Sequence, residues 1–267
     1  MAGRIHTQRW PNRLIKPPYG SVEIDWAHPL AQGLASYCPL NEAVPSVVRD
    51  RVVPRAFTVV DTAPTVTPLG FYFAGNGRLT TTDNPVPVTE YPYSLVGSAR
   101  VTADSNGTFF NLGDSGGSSY SGIGYYATDN SPFAYFRWGG TARVIYGTAN
   151  SWTDQAGFHL IAFVARGEID HELYIDGVSV GTNVSSPGTT FASVRIVIGD
   201  RRVVSNSPFV GYVGWCAAYN GRALTVADQL ALKADPYCFL RPIVRRSYGF
   251  VGAAPSRTPI FLRRRRP

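Results

Sequence analysis

Leu173-Tyr-Ile-Asp-Gly-Val-Ser-Val180 is the stretch whose reading decides the fold class. Asp176-Gly177 stands between two alternating runs. A two-residue hairpin of type I′ needs positive φ at both central positions, which Asp and Gly supply at least cost. Leu173 and Ile175 then share one face, and Val178 and Val180 continue the pattern across the turn. Similar short β-rich runs lie on both sides. Upstream are Gly33–Leu40, Gly70–Ala74, Tyr93–Val101, Thr108–Leu112, Gly122–Tyr126, Phe133–Trp138, Ala142–Tyr146 and Phe158–Ala165; downstream are Val194–Ile198 and Val210–Ala217. Runs of this length, punctuated by Gly, Asn and Asp, predict an all-β, two-sheet antiparallel sandwich. One helix is expected near 225–234, where Thr225 and Asp228 can form a reciprocal cap and Pro236 blocks extension.

The composition agrees. The chain has 267 residues, 27 Gly, 20 Pro and 16% charged side chains, a profile for many turns rather than for a helical bundle. No run approaches the roughly 18 apolar residues of a membrane helix, and Met-Ala-Gly-Arg-Ile-His-Thr-Gln-Arg-Trp-Pro11 has no apolar core of a secretion signal. Three cysteines do not make a disulfide framework, so Cys38, Cys216 and Cys238 are expected as buried thiols in a protein folded in a reducing cytoplasm.

The net charge of +7 is unevenly placed. Residues 1–20 carry Arg4, Arg9, Arg13 and Lys16 and no acid, and 236–267 carry Arg241, Arg245, Arg246, Arg257, Arg263, Arg264, Arg265 and Arg266, again with no acid. Between them, 13 Lys and Arg face 18 Asp and Glu. The expected organisation is an extended basic arm over 1–20, a folded body over 21–235 and an extended Arg-rich arm over 236–267. Charge confined to the ends favours arms that reach for an acidic partner over a nucleic-acid-binding face. Phe250 and Phe261 would be their apolar pins, with Arg4, Arg9, Arg13, Arg241, Arg245, Arg246 and Arg263 to Arg266 as partner-binding groups.

Trp26-Ala-His-Pro-Leu-Ala-Gln-Gly-Leu34, Phe71-Tyr-Phe-Ala-Gly-Asn-Gly-Arg-Leu79, the Leu173–Gly177 hairpin and Gly211–Leu224 before the capped helix together resemble the laminin-G-like, concanavalin-A-like jelly rolls. The lead-in Asp25–Leu34 and the exit Asp235–Pro242 look like those of tailed-bacteriophage virion proteins that carry this domain. That likeness implies a non-enzymatic capsid decoration protein, located in the virion, partnered by the major capsid protein and forming homo-oligomers. In such jelly rolls the first and last strands are neighbours, which implies that both arms leave from one region. A glycan-binding adhesion module is the alternative, and a laminarinase-type glycoside hydrolase is a further one.

Each alternative has its residues. Glu168-Ile-Asp-His-Glu172 resembles the E-x-D-x-E strand of laminarinase-type glycosidases, whose paired carboxylates perform retaining hydrolysis. In the laminin-G pattern, however, this run is a turn whose carboxylates point into water. Tyr120, Tyr125, Tyr126, Phe133, Tyr135, Phe136, Trp138 and Tyr146 are aromatic enough for a sugar-stacking platform, yet 135 and 136 must face opposite sides of a strand, so part of the set is core or interface. His6, His28, His159 and His171 have no metal-binding spacing, and no cofactor motif occurs. Asp114, Asp129, Asn130 and Asp200 could ligate calcium, although turn chemistry explains them better.

Overall fold

Asp176 and Gly177 adopt φ of 55° and 82°, so the hairpin takes the both-positive turn its sequence requires. Around it, the computed structural model describes residues 16–17, 21–53, 55–81, 88–104, 106–114, 119–152, 156–188, 195–200 and 208–243. The strands in chain order begin with β1 (Val22–Ile24), β2 (Leu34–Cys38), β3 (Arg49–Asp50), β4 (Arg55–Asp61), β5 (Thr65–Thr67) and β6 (Gly70–Ala74). Next come β7 (Gly77–Thr81), β8 (Tyr93–Val101), β9 (Gly107–Gly113), β10 (Ser119–Tyr126), β11 (Ser131–Trp138) and β12 (Arg143–Tyr146). The last are β13 (His159–Gly167), β14 (Asp170–Ile175), β15 (Val178–Asn183), β16 (Arg195–Ile198), β17 (Val210–Asn220) and β18 (Leu240–Pro242), with α1 (Val226–Ala234) between β17 and β18.

Two antiparallel sheets stack face to face. The front sheet runs β12-β11-β10-β9-β16-β7-β4-β3. The central sheet runs β15-β14-β13-β8-β17-β6-β5, with β2 also paired to β17. Between them lies the main core, including Phe71, Phe110, Ile123, Phe136, Trp138 and Phe163. A second core, including Tyr37, Val96, Ala162, Trp215, Leu232 and Phe239, covers the other side of the central sheet. Trp215-Cys-Ala-Ala-Tyr219 of β17 is therefore buried on both faces, which explains its unbroken apolar run.

The helix starts as its sequence directs. The Thr225 hydroxyl accepts from the Asp228 N–H (3.1 Å), and the Asp228 carboxylate accepts from the Thr225 N–H (3.0 Å). Leu232 and Gln229 face the second core, while Val226 and Leu230 stay in water.

Two expectations need correction. The body does not end at 235: Tyr237, Phe239 and Leu240 are buried, and β18 pairs with β1 in register Ile24↔Leu240. Tyr237 and Phe239 thus close the second core, and β1 and β18 are hydrogen-bonded to each other. Val178 is not buried either: it stands opposite Ile175 in the ladder but on the edge strand, and is 64% exposed, while Val180, at a bulge, packs on the core.

Candidate functional site

Strand alternation and register place every side chain on the outer face of the front sheet. Tyr120, Gly122, Gly124 and Tyr126 of β10 point outward, because Ile123 and Tyr125 fill the main core. The partners across the ladders share that face: Tyr135 opposite Gly122, Phe133 opposite Gly124, Tyr146 opposite Phe133, and Asn111 opposite Gly122 on the other side. The aromatic stretch is thus divided. Tyr125, Phe136 and Trp138 are core; Tyr120, Phe133 and Tyr135 form a separate outer cluster with Tyr126 packed against it.

Glycines set the posture of the rings. A Cβ on Gly122 would lie 2.7 Å from the Tyr135 hydroxyl oxygen, and one on Gly124 would lie 2.7 Å from the Phe133 ring. Both rings therefore lie down over bare backbone, at an interplanar angle of 27° with centroids 5.9 Å apart. Tyr120 meets Tyr135 at 5.3 Å, and Tyr126 meets Tyr146 at 4.6 Å. The cluster grades from Tyr135, 1% exposed, to Tyr146, 51% exposed at the sheet edge.

Beside the rings lie buried polar groups without hydrogen-bond partners among the described residues. They are both amide atoms of Asn111 and the hydroxyls of Thr108 and Ser131. Thr108 stands opposite Gly124 and Ser131 opposite Tyr126, so both face outward with the rings. Asn111 is fully buried, and a Cβ on Gly113 would sit 3.3 Å from its Nδ2 and 3.4 Å from the Tyr120 Cβ, which fixes the amide on the aromatic side. An unpaired buried amide or hydroxyl costs roughly 1–3 kcal/mol, so three on one face are a burden on the fold that calls for an explanation. Flat rings next to such groups suit a ligand with C–H faces and many hydroxyls.

The Glu168–Glu172 run lies elsewhere. Only Glu168 and Ile169 occupy the turn; Asp170, His171 and Glu172 open β14 of the central sheet. Glu172 does not point into water, as a turn residue would. Its carboxylate accepts from Arg166 (2.8 Å) and from the Tyr174 hydroxyl, beside the second core. Burial alone would raise this carboxyl, but hydrogen bonds from Ser179, Tyr174 and Arg166 outweigh it and hold Glu172 below the usual range. Asp170 meets Arg166 at 3.2 Å, and Glu168 bonds the Ser186 hydroxyl. His171 points inward against Phe136, Phe163 and Tyr91, and its burial lowers the imidazole's affinity for a proton.

The calcium candidates are not brought together. Asp200 meets Arg78 at 3.1 Å, and the same guanidinium lies 3.2 Å from Asp61, so an arginine already serves as the cation there. Asp114 accepts from the Ser119 N–H, Asn130 accepts from the Tyr125 hydroxyl, and Asp129 lies in the turn before Asn130. Among the described residues, no group of three or more His, Cys, Asp or Glu is placed to hold a metal.

Of the arm residues, Arg4, Arg9, Arg13, Arg245, Arg246, Phe250, Phe261, Arg263, Arg264, Arg265 and Arg266 lie outside the described residues. Arg241 sits on β18, where its Nε donates to Glu23 (2.8 Å) and Asp25 stands 3.9 Å away. Its acidic partners are in its own chain. Lys16 is also anchored, its ammonium donating to the carbonyls of Gly214 (2.7 Å) and Leu40 (3.0 Å). Gly214 falls on β17 between the segments paired by β6 and by β2, where no ladder partner meets it. Burial lowers the Lys16 pKa to about 8 against the opposing pull of Glu42.

The sandwich of two stacked antiparallel sheets belongs to a class defined by lectins and glucanases. The chain belongs to the concanavalin A-like lectin/glucanases superfamily, whose family model matches residues 73–228. No curated protein matches the sequence. Among solved structures, it is similar to domain 4 of AbnA, a GH43 extracellular arabinanase from Geobacillus stearothermophilus, in complex with arabinotriose. That likeness has a TM-score of 0.58 at 16% identity, over 74% of this chain and 97% of that one. It is similar too to the binding domain of botulinum neurotoxin DC in complex with rat synaptotagmin II, with TM-score 0.58 and 14% identity over 75% of this chain and 51% of that one. The same neurotoxin domain in complex with SialylT gives 0.56 at 12% identity, over 75% and 50%. The chain thus spans about half of the neurotoxin domains. At such identities these likenesses concern the fold. None of them bears on a virion.

Proposed function

We propose that this chain is a non-catalytic carbohydrate-binding module that takes glycan on the outer face of the front sheet. The observation that carries the reading is the set of buried, unpartnered groups on Asn111, Thr108 and Ser131 beside Tyr120, Phe133 and Tyr135. Tyr126 and Tyr146, the accessible end of the cluster, would take the ring faces of the sugar, and its hydroxyls would complete those hydrogen bonds once what covers the buried groups moves aside. Two of the solved neighbours hold arabinotriose and SialylT, which makes oligosaccharides the first probes. Catalysis is not part of the proposal: the Glu172 carboxylate is tied up by Arg166 and Tyr174 in the other sheet and has no proton to give near neutral pH. The capsid-decoration reading finds no support in the comparisons, and glycan binding takes its place. A glycan array with the full chain tests the proposal. Binding of at least one oligosaccharide, abolished by Tyr135→Ala in a chain with an unchanged far-ultraviolet circular dichroism spectrum, is expected. Binding that survives the change would move the site off this face.

A further inference from the structure

We propose that Cys38 and Cys216 are a modification site, a cross-strand pair that a small-molecule disulfide oxidant can close into a reversible disulfide between β2 and β17. The two residues stand directly opposite each other in the β2–β17 ladder, and both fully buried side chains face the main core. The type of pairing follows from Tyr37. Its N–H donates to Asp50 Oδ1 (3.1 Å) and its carbonyl accepts from the Arg51 N–H (2.9 Å), so both backbone groups turn away from β17. Cys38, the next residue, therefore turns its own toward β17, which makes Cys38–Cys216 a hydrogen-bonded pair with Cα atoms about 5.5 Å apart. Disulfides span Cα separations of roughly 4.4–6.8 Å, so the backbone is already in place.

The side chains set the character of the bond. In a hydrogen-bonded pair the Cβ atoms stand near 5.5 Å, whereas a relaxed disulfide wants roughly 3.5–4.5 Å. Closing the bridge draws the strands together and leaves strain, and a strained disulfide is the readily reduced kind. The chemistry is ordinary exchange. One cysteine thiolate attacks oxidised glutathione and releases one glutathione thiolate; the second attacks the mixed disulfide and releases the other. Two electrons pass to the oxidant and two protons to solvent. Because neither thiol is exposed, exchange occurs while the chain folds or opens, before the core shuts over it. Cys238 takes no part, since it packs with the second core on the opposite side of the central sheet.

The test uses the full chain carrying Cys238→Ser, which leaves both core thiols intact, beside the unmodified chain. Each is refolded in a mixture of reduced and oxidised glutathione, alkylated, digested and read by mass spectrometry. The expected result is a linked peptide pair containing Cys38 and Cys216, about 2 Da lighter than the two thiol peptides together. It should revert on excess reduced glutathione. Full alkylation of Cys38 and Cys216 in chains regaining the native circular dichroism spectrum would overturn the proposal. So would a bridge from either residue to Cys238 in the unmodified chain.

Discussion

Replacing Asn111 with leucine separates a residue kept for ligand from one kept for fold. Leucine nearly matches the asparagine side chain in shape but carries no polar atoms. In the free protein, Asn111 is fully buried with both amide atoms unpartnered, so it burdens the fold. Removing an unsatisfied buried amide should return about 1–3 kcal/mol, less a repacking cost of at most about 1.5 kcal/mol for a near-isosteric swap. The net runs from about neutral to about 3 kcal/mol of stabilisation, or a rise in melting temperature of up to roughly 12 °C for a domain of this size. Glycan binding should move the other way. An amide serving a sugar as donor and acceptor contributes about 1–3 kcal/mol, so its loss should weaken binding roughly 5- to 150-fold. Thermal melts followed by circular dichroism, with titration calorimetry on the tightest ligand from an array, read the two effects independently. A melting temperature lowered by several degrees would refute the reasoning, because it would mean that the amide already has partners in the free protein.

Two further changes test the surroundings. Gly122→Ala places a Cβ 2.7 Å from the Tyr135 hydroxyl oxygen, so the ring must lift; about 1–3 kcal/mol of destabilisation and a changed near-ultraviolet circular dichroism spectrum are expected. At the hairpin, burial would raise the Asp176 carboxyl, but hydrogen bonds from His159, the Leu160 N–H and Lys233 prevail and bring it down to about 2. Its folded value lies below the roughly 3.9 of an unfolded chain, so the stability it contributes is present above pH ~4 and is lost as pH falls toward 2. Melting temperature against pH should fall across that window in the unmodified chain. Asp176→Asn should start lower and flatten there.

The elements legible from the sequence are those whose signal is local. Asp176-Gly177 demanded its turn, Thr225 and Asp228 their reciprocal cap, and the alternation of 93–101 its strand. What could not be read depends on distant partners. β1 and β18 have three residues each and exist because they pair with one another across the chain. β4 has Phe57 and Val59 inward, but Ala56 and the Thr58 between them dilute the apolar signal. The candidate site was half legible. Its rings were visible as a dense stretch, and the opposition of Tyr135 and Phe136 followed from strand alternation. Asn111, by contrast, sits in a run with Phe109, Phe110 and Leu112, and a register shift between Ile123 and Gly124 scrambles the simple count of faces across the ladder. That its amide lacks a partner is a property of the packed sheet.

The two outer faces of the sandwich are used differently by the described segments that flank it. A stack of two sheets has two outer faces, and both are rich in side chains suited to burial. Here the described segments flanking the sandwich converge on the central sheet: β1 and β18 as a paired ribbon, β2 along β17, and α1 with Leu232 against the second core. Arg241 to Glu23 closes that ribbon, and Lys16 fills the break in the ladder beside Gly214. Exposed ion pairs of this kind contribute only about 0–1 kcal/mol, so burial of Tyr37, Trp215, Tyr237 and Phe239 holds the cover in place. Among the described residues, these terminal elements pair on one side, and none of them pairs with the front sheet. The carboxylates of the Glu168–Glu172 run stand on a different sheet from the outer rings.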